Sequence, residues 1–228
     1  MKNHLKRIAA PKTWFINRKS NTFILRPNPG AHSFHYGLPL GVILRDMLTV
    51  ASTMGEVRKV LHNKEVLIDG VKRDDHRFLV GLFDVVSLPE LKKQYRLVLD
   101  VKGRLVLSEI TEKESGIKIS KIVGKTALRG GKIQFNLHDG KNIVTDTKAS
   151  VGDSFVVTLP ALKIAKVLPL KQGMHIFLTK GKHAGDSGVL KEIKGREATY
   201  SARDADIDTA KEYLFVVGEK GAEIKTGL

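Results

Sequence analysis

Cysteine is absent from this chain of 228 residues. That excludes a disulfide framework, a thiolate zinc site and a cysteine nucleophile, and it fits an intracellular setting. No stretch approaches the roughly 20 consecutive apolar residues that a membrane-spanning helix needs. The basic N-terminus lacks the apolar core of a secretion signal. It also lacks a sustained amphipathic helix suited to lying on a bilayer, so no membrane partner is expected. Acidic residues are missing where basic ones gather: residues 1–40 hold seven Lys or Arg and no Asp or Glu, whereas residues 201–228 hold four basic and six acidic residues.

What the chain does have is positive charge. Thirty-nine Lys and Arg stand against 24 Asp and Glu, a formal charge of +15, and this uneven excess points to a polyanionic partner. A hydrophobic content of 42% suffices for folded cores if the chain divides into two or three domains.

Residues 1–39 are punctuated by Pro11, Pro27, Pro29 and Gly30 and show no clean period, which reads as an extended basic arm. Lys2, Lys6, Arg7, Lys12, Arg18, Lys19 and Arg26 supply charge, and Trp14, Phe15 and Phe23 supply planar surface between them. Such interleaving suits phosphate contacts combined with stacking on a structured RNA. The other reading of the aromatics is that they pin the arm to its own domain. His32 and His35 lack a nearby carboxylate cluster and make at most half a metal site, so neither metal nor cofactor is expected.

Residues 40–89 show more order. Leu40, Val42, Ile43, Leu44, Met47 and Leu48 form an apolar helical pattern, with Pro39 suited to its first turn. Thr53 and Glu56 have the spacing of a capping box, followed by Val57, Val60 and Leu61 on a buried stripe, with Arg58, Lys59 and His62 left towards solvent. Val66–Ile68 reads as a strand, Asp69-Gly70 as a two-residue hairpin turn, and Val71 as the start of the return strand. Phe78 to Leu88 reads as a further strand with a bend or bulge at Gly81.

This segment resembles the S-four-type RNA-binding domain, on Glu56, Val57, Arg58, Val60, Leu61, Lys64, Val66, Ile68, Asp69, Gly70, Asp84 and Val85. It departs from that pattern at 72–77, where Asp74 and Asp75 interrupt the basic residues.

A break in character at Pro89 suggests a domain boundary, with a β-rich central domain over 90–169. Residues 95–110 read as two strands meeting near Lys102-Gly103, 132–144 as two more joined at Asp139-Gly140, and 152–158 as another; 113–131 reads as a polar, Gly-rich connection. Gly124-Lys125-Thr126 fails as a P-loop, because the required earlier glycine is Ile119; it reads as a loop touching phosphate by charge alone. Gly103-Arg104-Leu105 is similar to the Gly-Arg-Leu-Asp motif of pseudouridine synthases, yet the next residue is Val106, which cannot act as the aspartate nucleophile. No triad is defined by spacing.

From 170 onward, Met174–Leu178 reads as a strand, 179–188 as a glycine-rich loop, and Val189-Leu190 as a resumed strand. Gly181, Lys182, Ala184, Gly185, Gly188 and Val189 resemble the KOW motif, in which glycines allow close approach to a phosphate while Lys180, Lys182 and His183 furnish donors. The alternative is a plain hairpin in a small SH3-like barrel. The end, 219–228, is expected to be exposed or loosely ordered.

A basic arm, an S-four-type domain, a β-rich middle and a KOW-type end, in that order, resemble the archaeal and eukaryotic-type small-subunit ribosomal protein family written S-four-e or eS-four. The resemblance implies a mostly β, α+β multidomain fold: arm 1–39, S-four-type domain 40–89, central domain 90–169, and a KOW/SH3-like barrel 170–228. It implies a non-enzymatic cytoplasmic component of the small subunit, partnered by small-subunit rRNA and neighbouring proteins, with no small-molecule substrate and no homo-oligomer. Beside the arm residues, Arg45, Arg58, Lys59 and Lys64 are the candidate RNA contacts of the second segment, and Lys180, Lys182 and His183 of the last. An RNA-modifying enzyme, or a translation or transcription factor using the same modules, is the alternative.

Overall fold

The computed structural model describes residues 4–202, 205–219 and 221–227. The chain divides into two units, Met1–Val98 with Arg104–Ser115, and Leu99–Gly103 with Gly116–Leu228. Strands dominate the second unit, whereas the first combines short strands with short helices, the longest being Met54–Asn63.

In the first unit, β1 (Leu5–Lys6) pairs antiparallel with β2 (Phe23–Ile24). The chain between them is folded rather than extended. The Arg18 guanidinium donates to the carbonyls of Ala10 at 2.8 Å and Pro11 at 2.6 Å, and Arg7 donates to that of Asn17 at 2.8 Å. An arginine fork satisfying several carbonyls is a strong organiser of irregular backbone. Trp14 is 2% exposed, forms a parallel bridge with Leu105 and lies 5.4 Å from the Phe34 ring. The aromatics divide: Trp14 pins the segment, while Phe15 and Phe23 stay exposed.

β3 (Gly37–Pro39) pairs with β6 (Leu79–Gly81). The apolar run after Pro39 makes only a short helix, α1 (Leu40–Val42), which widens into a π turn over Ile43–Met47. Leu40 through Leu44 are all buried, so this segment has no solvent face of the kind a surface helix shows.

α2 (Met54–Asn63) starts where the capping box requires: Thr53 accepts from the Glu56 amide at 3.2 Å, and the Glu56 carboxylate accepts from the Thr53 amide at 3.3 Å. β4 (Leu67–Ile68) and β5 (Val71–Lys72) follow, with Asp69 (φ 52°) and Gly70 (φ 75°) both left-handed, as a type I′ turn demands.

The single strand expected over 78–88 is broken at Phe83 (φ 66°) into β6 and β7 (Val85–Leu88). Asp84 explains the break. Buried, it accepts from the Gly81 amide at 2.8 Å and pairs with His32 Nε2 at 3.0 Å. A β-carbon on Gly81 would lie 2.0 Å from the His32 ring, so glycine is required there.

β8 (Lys93–Leu99) continues the same sheet, with Val85 opposite Arg96 and Leu88 opposite Lys93, and β9 (Leu105–Glu109) completes the order β5-β4-β7-β8-β9. The change of character at Pro89 coincides with a tight turn, Pro89–Leu91, between two paired strands of one sheet. Arg96 is fully buried and pairs with Glu114 of α3 (Glu112–Ser115), which ties that short helix to the sheet.

In the second unit, β10 (Ile117–Ala127) has 11 residues that replace most of the connection expected over 113–131. Its inward positions include Lys118 and Ser120, which hides the strand from a search for apolar alternation. They are tolerated because Asp139 meets them: Lys118 Nζ lies 3.0 Å from its carboxylate, and Ser120 donates to it at 3.4 Å.

β11 (Ile133–Leu137), β12 (Asn142–Thr145), β13 (Ser154–Thr158) and β14 (Lys163–Leu168) complete a sheet ordered β12-β11-β10-β13-β14. Ile122, Phe135, Leu137, Ala149, Phe155 and Val157 form its core, with Phe135 and Phe155 edge to face at 5.3 Å.

A second five-stranded sheet is made by β15 (His175–Leu178), β16 (Ser187–Lys194), β17 (Glu197–Ala202), β18 (Ala205–Ala210) and β19 (Leu214–Gly218), ordered β18-β17-β16-β15-β19. After β19 the described residues are mostly exposed, as expected, yet the segment is anchored at two points. Ile224 is 3% exposed, and Lys166 pairs with Glu219 at 3.0 Å and Glu223 at 2.8 Å.

Candidate nucleic-acid interface

Lys2 lies outside the described residues. Lys6, Lys12 and Lys19 are exposed at the surface of the N-terminal segment, and so is Arg26. Arg7 and Trp14 are not available to a ligand. Arg7 is 5% exposed, with one arm on the Asn17 carbonyl and the other 3.6 Å from Asp46, and Trp14 is enclosed. Arg18 spends its donors on the chain's own carbonyls. Phe15 and Phe23 are the exposed aromatics instead, and the Arg104 guanidinium lies 4.6 Å over the Phe15 ring. The pairing was not legible in sequence because 89 residues separate the two.

On α2, Val57 and Leu61 are buried and Arg58, Lys59 and His62 are exposed. Neither Arg58 nor Lys59 has an acidic partner among the described residues. The helix thus presents two exposed cations outside any ion pair on a rigid, capped frame, with Lys59 feeling the Glu56 carboxylate only at longer range. Arg45 differs: its guanidinium grips Asp46 in a fork at 2.7 and 2.8 Å, a hydrogen bond that raises its pKa and cancels its charge locally. Lys64 likewise pairs with Glu90.

The acids that interrupt 72–77 are occupied. Asp74 lies 3.7 Å from Lys72, while Asp75 accepts from the Asn28 amide side chain and the Arg77 backbone, each at 2.8 Å. Burial lowers the His76 pKa, and the charges of Arg58 and Arg77 lower it further against Asp75. Those two arginines therefore belong to one positive neighbourhood, and Arg77 was masked in sequence by its acidic neighbours.

In the second unit, Lys180 and Lys182 are exposed and His183 is half-buried in the loop between β15 and β16. Gly185 of this loop and Gly188 at the start of β16 sit against the chain itself. A β-carbon on Gly185 would lie 2.0 Å from the Asp100 carbonyl oxygen, and one on Gly188 2.2 Å from that of Ser201. The close approach they permit is to the protein's own backbone.

Lys121 reaches the same neighbourhood, donating to the carbonyls of Glu212 and Leu214 at 2.7 Å each. Burial first, then the charge of Lys180, lowers its pKa to about 8 against the opposing pull of Glu212. Gly124-Lys125-Thr126 lies within β10, so it is neither a phosphate loop nor a loop at all. Val106 is buried in β9. Among the described residues no group of three or more His, Cys, Asp or Glu side chains gathers to hold a metal.

Exposed cations on β-rich units are the kind of surface that suits a polyanionic ligand. The comparisons with known proteins narrow this. Residues 1–35 match the RS4NT (NUC023) domain, and residues 91–164 match Ribosomal family S4e. The small ribosomal subunit protein eS4 of Methanocella arvoryzae is 41% identical over 98% of this chain and 97% of its own length. The protein of that name from Archaeoglobus fulgidus is 39% identical over 96% and 95%. A crystal structure of the 30S ribosomal protein S4e from Thermoplasma acidophilum superposes with a TM-score of 0.69 at 29% identity, over 81% of this chain and 95% of that one. The chain belongs to the S4e (eS4) family of ribosomal proteins.

Proposed function

We propose that this chain is a structural constituent of the small ribosomal subunit, binding and stabilising small-subunit rRNA through several separate basic surfaces and acting without catalysis. The observation that carries the reading is the near-full-length similarity to proteins named for that subunit. Its physical support is the exposed charge on rigid elements. Lys6, Lys12 and Lys19 serve the N-terminal segment, Arg58 and Lys59 the S-four-type segment, and Lys180, Lys182 and His183 a KOW-type loop on an SH3-like sheet.

Phosphate contacts of this kind position a protein, while the shape of the folded RNA supplies specificity. Each surface alone is modest. Joined in one chain, they raise the local concentration of one another and hold the RNA fold in place. Neighbouring small-subunit proteins complete the set of partners, and the cytoplasmic subunit is the site of action.

The test is the salt dependence of binding between the purified full-length chain and small-subunit rRNA. Replacing Arg58 and Lys59 together with Ala lowers affinity and reduces the slope of log K against log salt by about 1–2, since each phosphate contact contributes roughly 0.7–0.9. An unchanged slope removes α2 from the RNA surface.

A further inference from the structure

Among the described residues ten glycines adopt left-handed φ, and their surroundings sort them. At Gly185 the place of a side chain is filled by the protein's own carbonyl, and Gly152 and Gly181 face the chain's own side chains at 3.3–3.5 Å. Gly130 (φ 82°) and Gly131 (φ 76°) differ: nothing lies within 4 Å of either β-carbon position, so packing does not explain them and the backbone is open to an incoming group.

They sit at the tip of the β10–β11 hairpin, where the Leu128 amide donates to the Lys132 carbonyl at 2.8 Å. β13 pairs with β10 only over Ile117–Lys121, and from Ile122 to Ala127 the strand pairs with β11 alone. Past Lys121 the hairpin runs beyond the end of β13; Phe135 and Ile133 still pack against the core from β11, while residues 125–132 are exposed.

Its charge is one-sided. Residues 116–138 contain five Lys or Arg and no Asp or Glu. Arg129 and Lys132 flank the glycines, both exposed, and neither makes an ion pair among the described residues. Asp146, just past the Thr145 that pairs with Ile133, meets neither of them. Lys125, further down, is partly committed, donating to the Ala149 carbonyl at 3.3 Å with its ammonium 5.6 Å from the Phe135 ring.

Two other open left-handed glycines lack this setting. Gly195 lies in a turn where Lys194 pairs with Glu192 at 3.0 Å, with Lys191 paired to Asp206 on the same sheet. Gly173 has only Lys171 near it in sequence.

We infer that the tip of the β10–β11 hairpin, Arg129-Gly130-Gly131-Lys132, is a further RNA contact, in which two unpaired cations bracket an open stretch of backbone that a sugar-phosphate strand approaches closely. The inference rests on the proposed role in rRNA binding and adds a surface to it. The exposed Val123, Leu128 and Val144 on the same ribbon give apolar area beside the charge, suited to ribose and base edges in a shallow minor groove.

The experiment uses the full chain and transcribed small-subunit rRNA, with binding measured across a salt series and hydroxyl-radical footprinting of the RNA. Three proteins are compared: wild type, the pair Arg129→Ala and Lys132→Ala, and as a matched turn the pair Lys194→Ala and Arg196→Ala. All four side chains are exposed, so folding is unaffected, and circular dichroism verifies this. The hairpin pair weakens binding about tenfold, reduces the log K against log salt slope by about 1–2, and erases one patch of protection, while the matched turn changes none of these. Wild-type affinity, slope and footprint in the hairpin pair, with Arg58→Ala and Lys59→Ala still weakening binding, overturns the inference and leaves the proposed function standing. A defect that emerges only when other subunit proteins are present makes the hairpin a protein contact and overturns it too. Absence of specific binding by the wild type removes the proposed function together with the inference.

Discussion

The carbonyl oxygen of Asp100 lies 2.0 Å from the point where a β-carbon on Gly185 would begin. Gly173 shares the left-handed φ but has nothing within 4 Å of that point. Alanine at either position bears the same kind of backbone strain, and only at Gly185 does it also displace backbone. Gly185→Ala therefore costs about 1–3 kcal/mol more than Gly173→Ala, read as the difference in urea unfolding free energy. Equal losses contradict the packing role assigned to Gly185.

Lys118 and Asp139 are paired at 3.0 Å with both side chains out of water. Removing one partner of such a pair strands the other, a loss of about 3–5 kcal/mol expected for Asp139→Ala. Burial raises the Asp139 pKa, but Lys118, His138 and Lys141 together outweigh it and hold the carboxyl below its ordinary range. A depressed carboxylate contributes stability that is complete above its unfolded pKa near 4 and is lost as pH falls through the lower folded value. The stability gap between wild type and Asp139→Asn thus narrows on acidification below about pH 4, and a constant gap down to pH 2 contradicts it.

The capping box sets where α2 begins and so where Arg58 and Lys59 point. Thr53→Ala removes the acceptor for the Glu56 amide and costs about 1 kcal/mol. Amide exchange in the first turn of α2 rises accordingly. Unchanged exchange there shows that packing of Val57 and Leu61 alone fixes the helix start.

Local chemistry was readable wherever the signal sat in a few adjacent residues. The Thr53–Glu56 box, the Asp69-Gly70 turn and the Asp139-Gly140 hairpin are all where their spacing puts them. What escaped was long-range. The burial of Trp14 depends on Leu105 and Phe34, and the β10 strand was concealed because its inward Lys118 and Ser120 are polar until Asp139 is seen beside them. The sheet running through Pro89 was hidden for the same reason, since its unity lies in the pairing of Val85 with Arg96. For the site, exposure of Arg58, Lys59, Lys180 and Lys182 followed from pattern, whereas the inward commitments of Arg7 and Arg18 required knowing which carbonyls surround them.

Lys121 supplies a test of the electrostatic arrangement in the second unit. Its pKa of about 8 lies below the ordinary lysine value, so the folded state favours the neutral amine, and the contribution of this group to stability rises with pH from about 8 to the unfolded value near 10.5. Titration of the Lys121 ε-methylene resonance has its midpoint near 8. Lys180→Ala raises that midpoint, because a neighbouring positive charge is removed, and a midpoint at the ordinary lysine value in the wild type contradicts the burial of this ammonium.

The central claim is membership of the small subunit, and its most direct measurement is density-gradient sedimentation of native extract with this chain quantified in every fraction after low-salt and high-salt washing. The account predicts about one copy per small subunit, retained through the high-salt wash because several phosphate-contacting surfaces act together. Substoichiometric recovery, or release at high salt, contradicts an integral component and marks the chain as a transient factor.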